Sequence, residues 1–130
     1  MDYKVLLLIG MLFFHIVDDY YLQGFLASAK QKSWWENNYP NKLYQHDYIM
    51  ALIEHAFSWT VMIHIPIIVY VSVCGLEVHS SFFIFWFFWN LLTHAYVDHI
   101  KANLLAINLI QDQAIHIIQI IFTWLLYAIL

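Results

Sequence analysis

Three pairs of histidine and aspartate, each separated by four positions, are the residues of this sequence best suited to chemistry. They are His15 and Asp19, His94 and Asp98, and Asp112 and His116. On an α-helix, residues four apart lie on one face, one turn from each other. Zinc binds imidazole nitrogen and carboxylate oxygen in proteins, and iron and manganese accept the same ligands. The spacing therefore predicts a divalent-metal site, with zinc favoured and iron or manganese as alternatives.

His55, with Glu54 beside it, is a further candidate ligand outside the three pairs. Together with the three pairs this gives seven candidate metal ligands: His15, Asp19, His55, His94, Asp98, Asp112 and His116. Seven groups exceed one tetrahedral site, so the set fits either two metals or one metal with outer partners. The candidate catalytic bases are Asp19 and Asp98. The candidate outer-sphere or substrate-contacting residues are Gln23, Glu54, Asn90, Lys101 and Gln113.

The same residues also have a plainer interpretation, as polar contacts between helices. Ionisable side chains inside a membrane protein face its interior and pair with one another, which a His–Asp pair can do without a metal. Known di-metal helix bundles use Glu-x-x-His spacing, whereas the spacing here is four residues. The number of pairs still favours a site, because so many titratable groups are costly to bury and helices can associate through small residues alone.

The composition indicates a membrane protein. Of the 130 residues, 63% are hydrophobic and 11% are charged, whereas a soluble domain is about half apolar and about a quarter charged. So few charges cannot cover a water-exposed surface of this size. The net charge of −4, with five lysines and no arginine, argues against a nucleic-acid partner.

Four apolar runs are long enough to span a bilayer, which takes roughly 20 residues. The predicted spans are residues 3–23, 48–73, 81–98 and 113–130. They predict one all-α domain, residues 1–130, built as an integral membrane bundle of four transmembrane helices running up-down-up-down. Gly24 is a natural stop for the first span, and Pro66 predicts a kink in the second. Residues 103–110 are apolar but too short to span, and they predict an interfacial or re-entrant helix between helices three and four.

In this topology the polar residues gather on one side of the membrane. The candidate ligands lie at the end of helix one, the start of two, the end of three and the start of four, and alternation brings these four places together. Most of the lysines lie in the loops on that side: Lys30, Lys32, Lys42 and Lys101. Lys4 is alone on the other side. Because lysine is enriched in cytoplasmic loops, the polar cluster is expected to face the cytoplasm and both termini to face outward. The polar loop at residues 24–46 suits the membrane–water interface.

At these same positions the chain resembles a family of small bacterial and phage membrane proteins known as domain of unknown function 3307. The resemblance rests on His15-x-x-x-Asp19-Tyr20-x-x-Gln23, His94-x-x-x-Asp98-x-x-Lys101 and Asp112-Gln113-x-x-His116, with His55 early in the second span. These motifs cover almost the whole chain, in order. Tyr20 departs from the family pattern, which has phenylalanine after the first aspartate. The resemblance implies an inner-membrane protein of a bacterium or phage with a polar site and no agreed activity, similar in style to membrane-embedded metal-dependent hydrolases.

Three functions fit these observations. The first is a metal-dependent hydrolase at the cytoplasmic leaflet, acting on a lipid or lipid-linked substrate whose phosphate is attracted by Lys101 or Lys42. The second is a proton or metal-ion transporter, although His64 is the one ionisable residue near mid-membrane. The third is a structural or partner-binding membrane protein without catalytic activity. A homo-oligomer also fits four short helices.

Overall fold

The computed structural model describes residues 2–130, and these contain helices but no strand. The long helices are α1 (Tyr3–Val17), α4 (Asp47–Cys74), α5 (Ser80–Ala102) and α6 (Leu109–Ala128), and the short ones are α2 (Leu26–Ala29) and α3 (Lys32–Asn38). A π-helical turn, Asp18–Leu22, extends α1, and a 3₁₀ turn, Lys42–Tyr44, precedes α4. The all-α prediction is confirmed, and the predicted spans correspond to the long helices.

Among residues 2–130, three helical segments are long and apolar enough to cross a membrane. They are Tyr3–Leu22, Lys42–Cys74 and Leu109–Ala128, with mean hydropathies of 1.7, 1.8 and 1.3. Helix α5 is not one of them, because its tryptophans, Asn90 and His94 lower its mean hydropathy. Its 23 residues nevertheless give a length of about 35 Å. The composition of the helices is therefore compatible with a membrane protein, and the fourth span stays a prediction.

Local sequence explains where the long helices end and begin. Gly24 and Gly75 have φ angles of +45° and +64° and end the first and second long helical segments. Glycine adopts this left-handed conformation without the steric cost that a Cβ brings. Helix α6 begins at a capping box, in which Asn108 and Gln111 exchange hydrogen bonds of 3.0 Å between side chain and backbone.

The connection between α5 and α6 corrects the helix predicted at residues 103–110, because the chain there is irregular up to Asn108. The Asn103 side chain accepts a hydrogen bond of 2.7 Å from the backbone N–H of Lys32, so it is held in the loop that leads to α3. Leu105 has a φ of +53°, which a continuing helix does not allow. The hydrogen bond of Asn103 and the backbone conformation of Leu105 therefore account for the absence of a separate helix in this apolar run.

The long helices pack in a ring and alternate in direction. Helix α1 packs against α4 and α6, and α5 packs against the same two helices. Near the end of α6, Trp124 donates a 2.8 Å hydrogen bond to the Lys4 carbonyl at the start of α1. The halves of the helix ring are taken along the helix axes. The half that contains this hydrogen bond has an apolar core: Leu7, Met11, Trp59, Ile63, Ile67, Tyr70, Ile120 and Tyr127. The candidate metal ligands lie in the opposite half.

Helices α1 and α4 are in close contact where Gly10 faces Pro66. A Cβ atom placed on Gly10 would lie 3.1 Å from the Pro66 Cβ and 3.2 Å from its Cγ. The pyrrolidine ring is fixed to the backbone, so it cannot rotate away from a larger neighbour. This contact sets the distance between the two helices that carry His15 and His55.

We expect Gly10→Leu to lower the free energy of unfolding by about 1–3 kcal/mol, because overpacking must separate α1 from α4. The matched control is Ile9→Leu, since Ile9 is 55% exposed on the outer face of the same helix. Thermal unfolding of both variants in one detergent measures the difference. Equal melting temperatures would contradict the close approach.

Candidate metal centre

A buried cluster of histidines and aspartates fills the polar half of the helix ring. Its members come from α1 and its π turn, α4, α5 and α6: His15, Asp18, Asp19, His55, His94, Asp98, Asp112 and His116. None of these residues is more than 7% exposed. The structure thus brings all seven candidate ligands together and adds Asp18 to them.

One group of three has the geometry of a metal site. Asp19 Oδ1 lies 3.4 Å from His55 Nε2 and 4.0 Å from His94 Nε2, and the two histidine nitrogens are 3.2 Å apart. Ligands bound tetrahedrally at about 2.0–2.1 Å are separated by roughly 3.3 Å. The three atoms therefore form one face of a slightly expanded tetrahedron, so they could hold a metal ion and leave a fourth position open.

A second group of three shares His94 with the first. His116 Nε2 lies 3.4 Å from Asp98 Oδ1, and His94 Nε2 lies 3.8 Å from Asp98 Oδ2. Asp98 Oδ2 is also 3.3 Å from His55 Nε2, so this carboxylate borders both groups. An imidazole nitrogen has one lone pair to offer. The two groups are consequently alternative sites for one ion rather than two separate sites.

Several polar atoms of the cluster lack hydrogen-bond partners within residues 2–130. They include Asp19 Oδ1 and His116 Nε2, both fully buried. A buried polar atom without a partner costs about 1–3 kcal/mol. His55 Nε2 and His94 Nε2 face each other, and at most one of them can donate to the other. A cation among these atoms would accept the unused lone pairs, so the residues present fit a metal ion.

The net charge of the cluster is also compatible with a bound divalent cation. Four aspartates are buried, and two lysine ammonium groups reach them: Lys30 Nζ donates to Asp98 Oδ2 and Lys101 Nζ donates to Asp112 Oδ2, each at 2.7 Å. With neutral histidines the cluster keeps a charge of minus two. Uncompensated buried charge is expensive. Either one divalent cation or two protonated imidazoles would balance it.

The π turn at the end of α1 directs two neighbouring aspartates into the cluster. In an α-helix Asp18 would point about 100° away from Asp19; here Asp18 is 1% exposed and Asp19 is 7% exposed. Asp18 Oδ1 accepts a 2.6 Å hydrogen bond from Ser58, and its Oδ2 lies 3.7 Å from His55 Nδ1. A carboxylate behind a histidine is a common outer partner that orients a metal ligand.

His15 holds the cluster together without belonging to either group of three. The Trp59 indole N–H donates to His15 Nδ1 at 2.8 Å, so a neutral His15 carries its proton on Nε2 and donates to Gln113 Oε1 at 3.1 Å. Gln113 in turn donates to Asp19 Oδ2 at 3.1 Å and to Asp112 Oδ2 at 3.2 Å. In this arrangement His15 positions other residues, whereas the sequence predicted it as a ligand.

The predicted outer residues separate into two sets. Gln113 and Lys101 contact the aspartates, and Gln23 caps the rim by donating to the Asp19 carbonyl. Glu54 is exposed, because the residue before His55 faces outward. Asn90 lies one turn deeper, where it accepts hydrogen bonds from Gln119 and Thr123 between α5 and α6. Neither Glu54 nor Asn90 is therefore an outer residue of the cluster.

Three residues of the site were not among the predicted ones. Asp18 is not predicted from the sequence, because in a regular α-helix it would point about 100° away from Asp19. Trp59 had a usable signal, since it follows His55 by four positions; its ring stacks on His94 with centroids 4.2 Å apart. Lys30 enters from the loop between α1 and α4, and its contact with Asp98 spans 68 positions, which no local pattern reveals.

Comparisons with protein-family models, with curated proteins and with solved structures give no match for this chain. The resemblance to domain of unknown function 3307 therefore stays a prediction. The geometry of the cluster and the apolar helices that carry it are the features from which a function can be proposed.

Proposed function

We propose that the chain is a membrane protein that binds one divalent metal ion, with zinc favoured, and uses it to hydrolyse a membrane-associated substrate. The observation that carries the proposal is the set of three buried ligand atoms of Asp19, His55 and His94, separated by 3.2–4.0 Å. Three protein ligands with one open position are typical of catalytic rather than structural zinc sites. Iron or manganese would suit the same nitrogen and oxygen donors.

The residues of the cluster have different roles in the proposed hydrolysis. Asp19, His55 and His94 would hold the ion, and a metal at this position would supply Lewis-acid activation of water near neutral pH. Asp98, beside both histidines and held by Lys30, is the better candidate for the base that takes the proton from water. The water oxygen would bond to carbon or phosphorus while the ester C–O or P–O bond breaks, and the proton taken up by Asp98 would pass to the departing ester oxygen. Asp19 acts as a ligand in this scheme.

We also infer that α5 is a fourth span. Helix α4 ends in the apolar half of the ring and α6 begins in the polar half, so the chain between them must return across the same distance. Phe82, near the start of α5, contacts Tyr127, and His94 stacks on His116. Helix α5 therefore runs beside α6 for most of its length. A homo-oligomer stays a prediction.

Ion transport has less support than hydrolysis. The half of the ring away from the cluster is filled by the apolar core, and among residues 2–130 its buried histidine, His64, is closed in by Phe83 and Phe87. A conduit needs polar groups on both sides of the membrane. A purely structural role would leave the unpartnered atoms of the cluster unexplained.

The metal site can be tested by mass-spectrometric metal analysis of detergent-purified protein supplied with zinc. We expect about one ion per chain in the wild type and at least a tenfold loss of affinity in His55→Ala or His94→Ala, because each removes a ligand. His64→Ala is the matched control, since His64 is also buried but lies outside the cluster. Size-exclusion profiles show whether each variant is folded. Equal metal content in all four proteins would remove the proposed site.

Hydrolysis can be tested with purified protein, phospholipid micelles and a series of divalent metals. We expect Asp98→Asn to lower turnover by about 10²–10⁴-fold, because the base that accepts the proton is lost. Metal content measured on the same samples separates loss of the base from loss of the ion. If no metal supports turnover of any phospholipid, the enzymatic part of the proposal is wrong.

The orientation can be tested with the exposed thiol of Cys74, at the end of the ring opposite the cluster. We expect a membrane-impermeant maleimide to label Cys74 in spheroplasts, because the lysine-rich side faces the cytoplasm. The control carries Cys74→Ser with Glu36→Cys, which moves the thiol to an exposed position of α3. That variant should react only after permeabilisation. The reverse pattern would place the cluster outside.

A further inference from the structure

An open groove on the outer surface lies between α1 and α6, next to the cluster. It has a volume of about 660 Å³, and its lining includes the apolar residues Leu12, Ile16 and Ile117. His15 and Gln113 add polar groups to this lining. A histidine and an amide are costly in the lining of an opening that faces hydrocarbon. A polar part of a ligand entering from the bilayer would give these groups a partner.

A second opening reaches the cluster from the loop side. This pocket of about 330 Å³ is lined by Gln23, Lys30, Gln31, Asp98 and Lys101. The two lysine side chains are 11% and 30% exposed, and each ammonium group gives an aspartate one hydrogen bond. An ammonium has three N–H donors, so further donors remain for an incoming anion. A phosphate group is a suitable ligand for two lysines at the level of lipid head groups.

One buried carboxylate oxygen links the wall of the groove to the wall of the pocket. Asp112 Oδ2 accepts a hydrogen bond of 2.7 Å from Lys101 Nζ, which lines the pocket, and one of 3.2 Å from Gln113 Nε2, which lines the groove. The exposed rings of Tyr20 and Tyr21, which also line the groove, suit the membrane interface.

We propose that this pair of openings binds a phospholipid with an anionic phosphate head group, which enters sideways from the bilayer. This inference rests on the proposed hydrolase function and names the class of its substrate. The acyl chain lies in the groove between Leu12 and Ile117. The phosphate lies at the lysine pocket, next to Asp98 and the candidate metal ligands. A water-soluble phosphate would satisfy the lysines but would leave the groove unused.

The test uses full-length protein in nonionic detergent, with dioleoyl phosphatidate as the probe and native mass spectrometry to count bound lipid. Ile117→Trp fills the groove and is expected to weaken phosphatidate binding about tenfold, or about 1.4 kcal/mol. Ile118→Trp is the matched control, because Ile118 is 65% exposed on the same helix and does not line the groove. Lys101→Gln should lower the preference for phosphatidate over phosphatidylcholine, and Lys101→Arg should restore it.

Zinc content is measured on the same samples, so that the two proposals can fail separately. The expected binding pattern without zinc in any sample would support the lipid site and overturn the metal site. Unchanged phosphatidate binding in Ile117→Trp would overturn the groove. Equal binding of phosphatidate and phosphatidylcholine, or equal competition by glycerol phosphate in the wild type and Ile117→Trp, would overturn the proposed lipid class.

Discussion

Four carboxylates buried at one end of a helix ring are the constraint on which the rest of this structure depends. Each must be met by a cation or a donor, because unpaired buried charge costs several kcal/mol. Helix α5 continues four residues past the predicted end at residue 98, which brings Lys101 to Asp112. Helix α6 begins four residues earlier than predicted, so Asp112 lies in its first turn, where the helix dipole favours negative charge. The loop after α1 folds back so that Lys30 reaches Asp98.

Trp59 joins the polar half of the ring to the apolar half. It is fully buried, it belongs to the apolar core, and its ring stacks on His94 while its N–H donates to His15. His94 also stacks on His116 from its other side, with centroids 4.1 Å apart. His94 is thus oriented by aromatic packing on both faces and by the 3.2 Å contact of its Nε2 with His55 Nε2, since its Nδ1 has no hydrogen-bond partner within residues 2–130. The apolar core closes the cluster on the side away from the loops.

The sequence predicted the parts of this arrangement that depend on local geometry. The His–Asp pairs were found because a separation of four places both side chains on one helix face, and alternating spans brought the pairs together. Asp18 was missed because a π turn changes the angle between successive residues. Lys30 was missed because its contact depends on how the loop folds back. The helix predicted at residues 103–110 is wrong because the prediction considered only the apolar residues of this run. The Asn103 side chain forms hydrogen bonds with Lys30 and with Lys32 at the start of α3, and no local pattern predicts them.

The presence of His94 in both groups of three limits the number of metal ions that the cluster could bind. From sequence, seven candidate ligands fitted two metals or one metal with outer partners. In the structure His94 belongs to both groups of three, and its Nε2 atom is the one near a carboxylate in each of them; a neutral imidazole nitrogen donates one lone pair to one ion. His15 is engaged in hydrogen bonds through both nitrogens, and Asp112 is bonded to Lys101. In the proposed site the remaining histidines and aspartates would therefore orient the ligands and would not hold a second ion. Asp98, which borders both groups and accepts a hydrogen bond from Lys30, would then lie beside the open position.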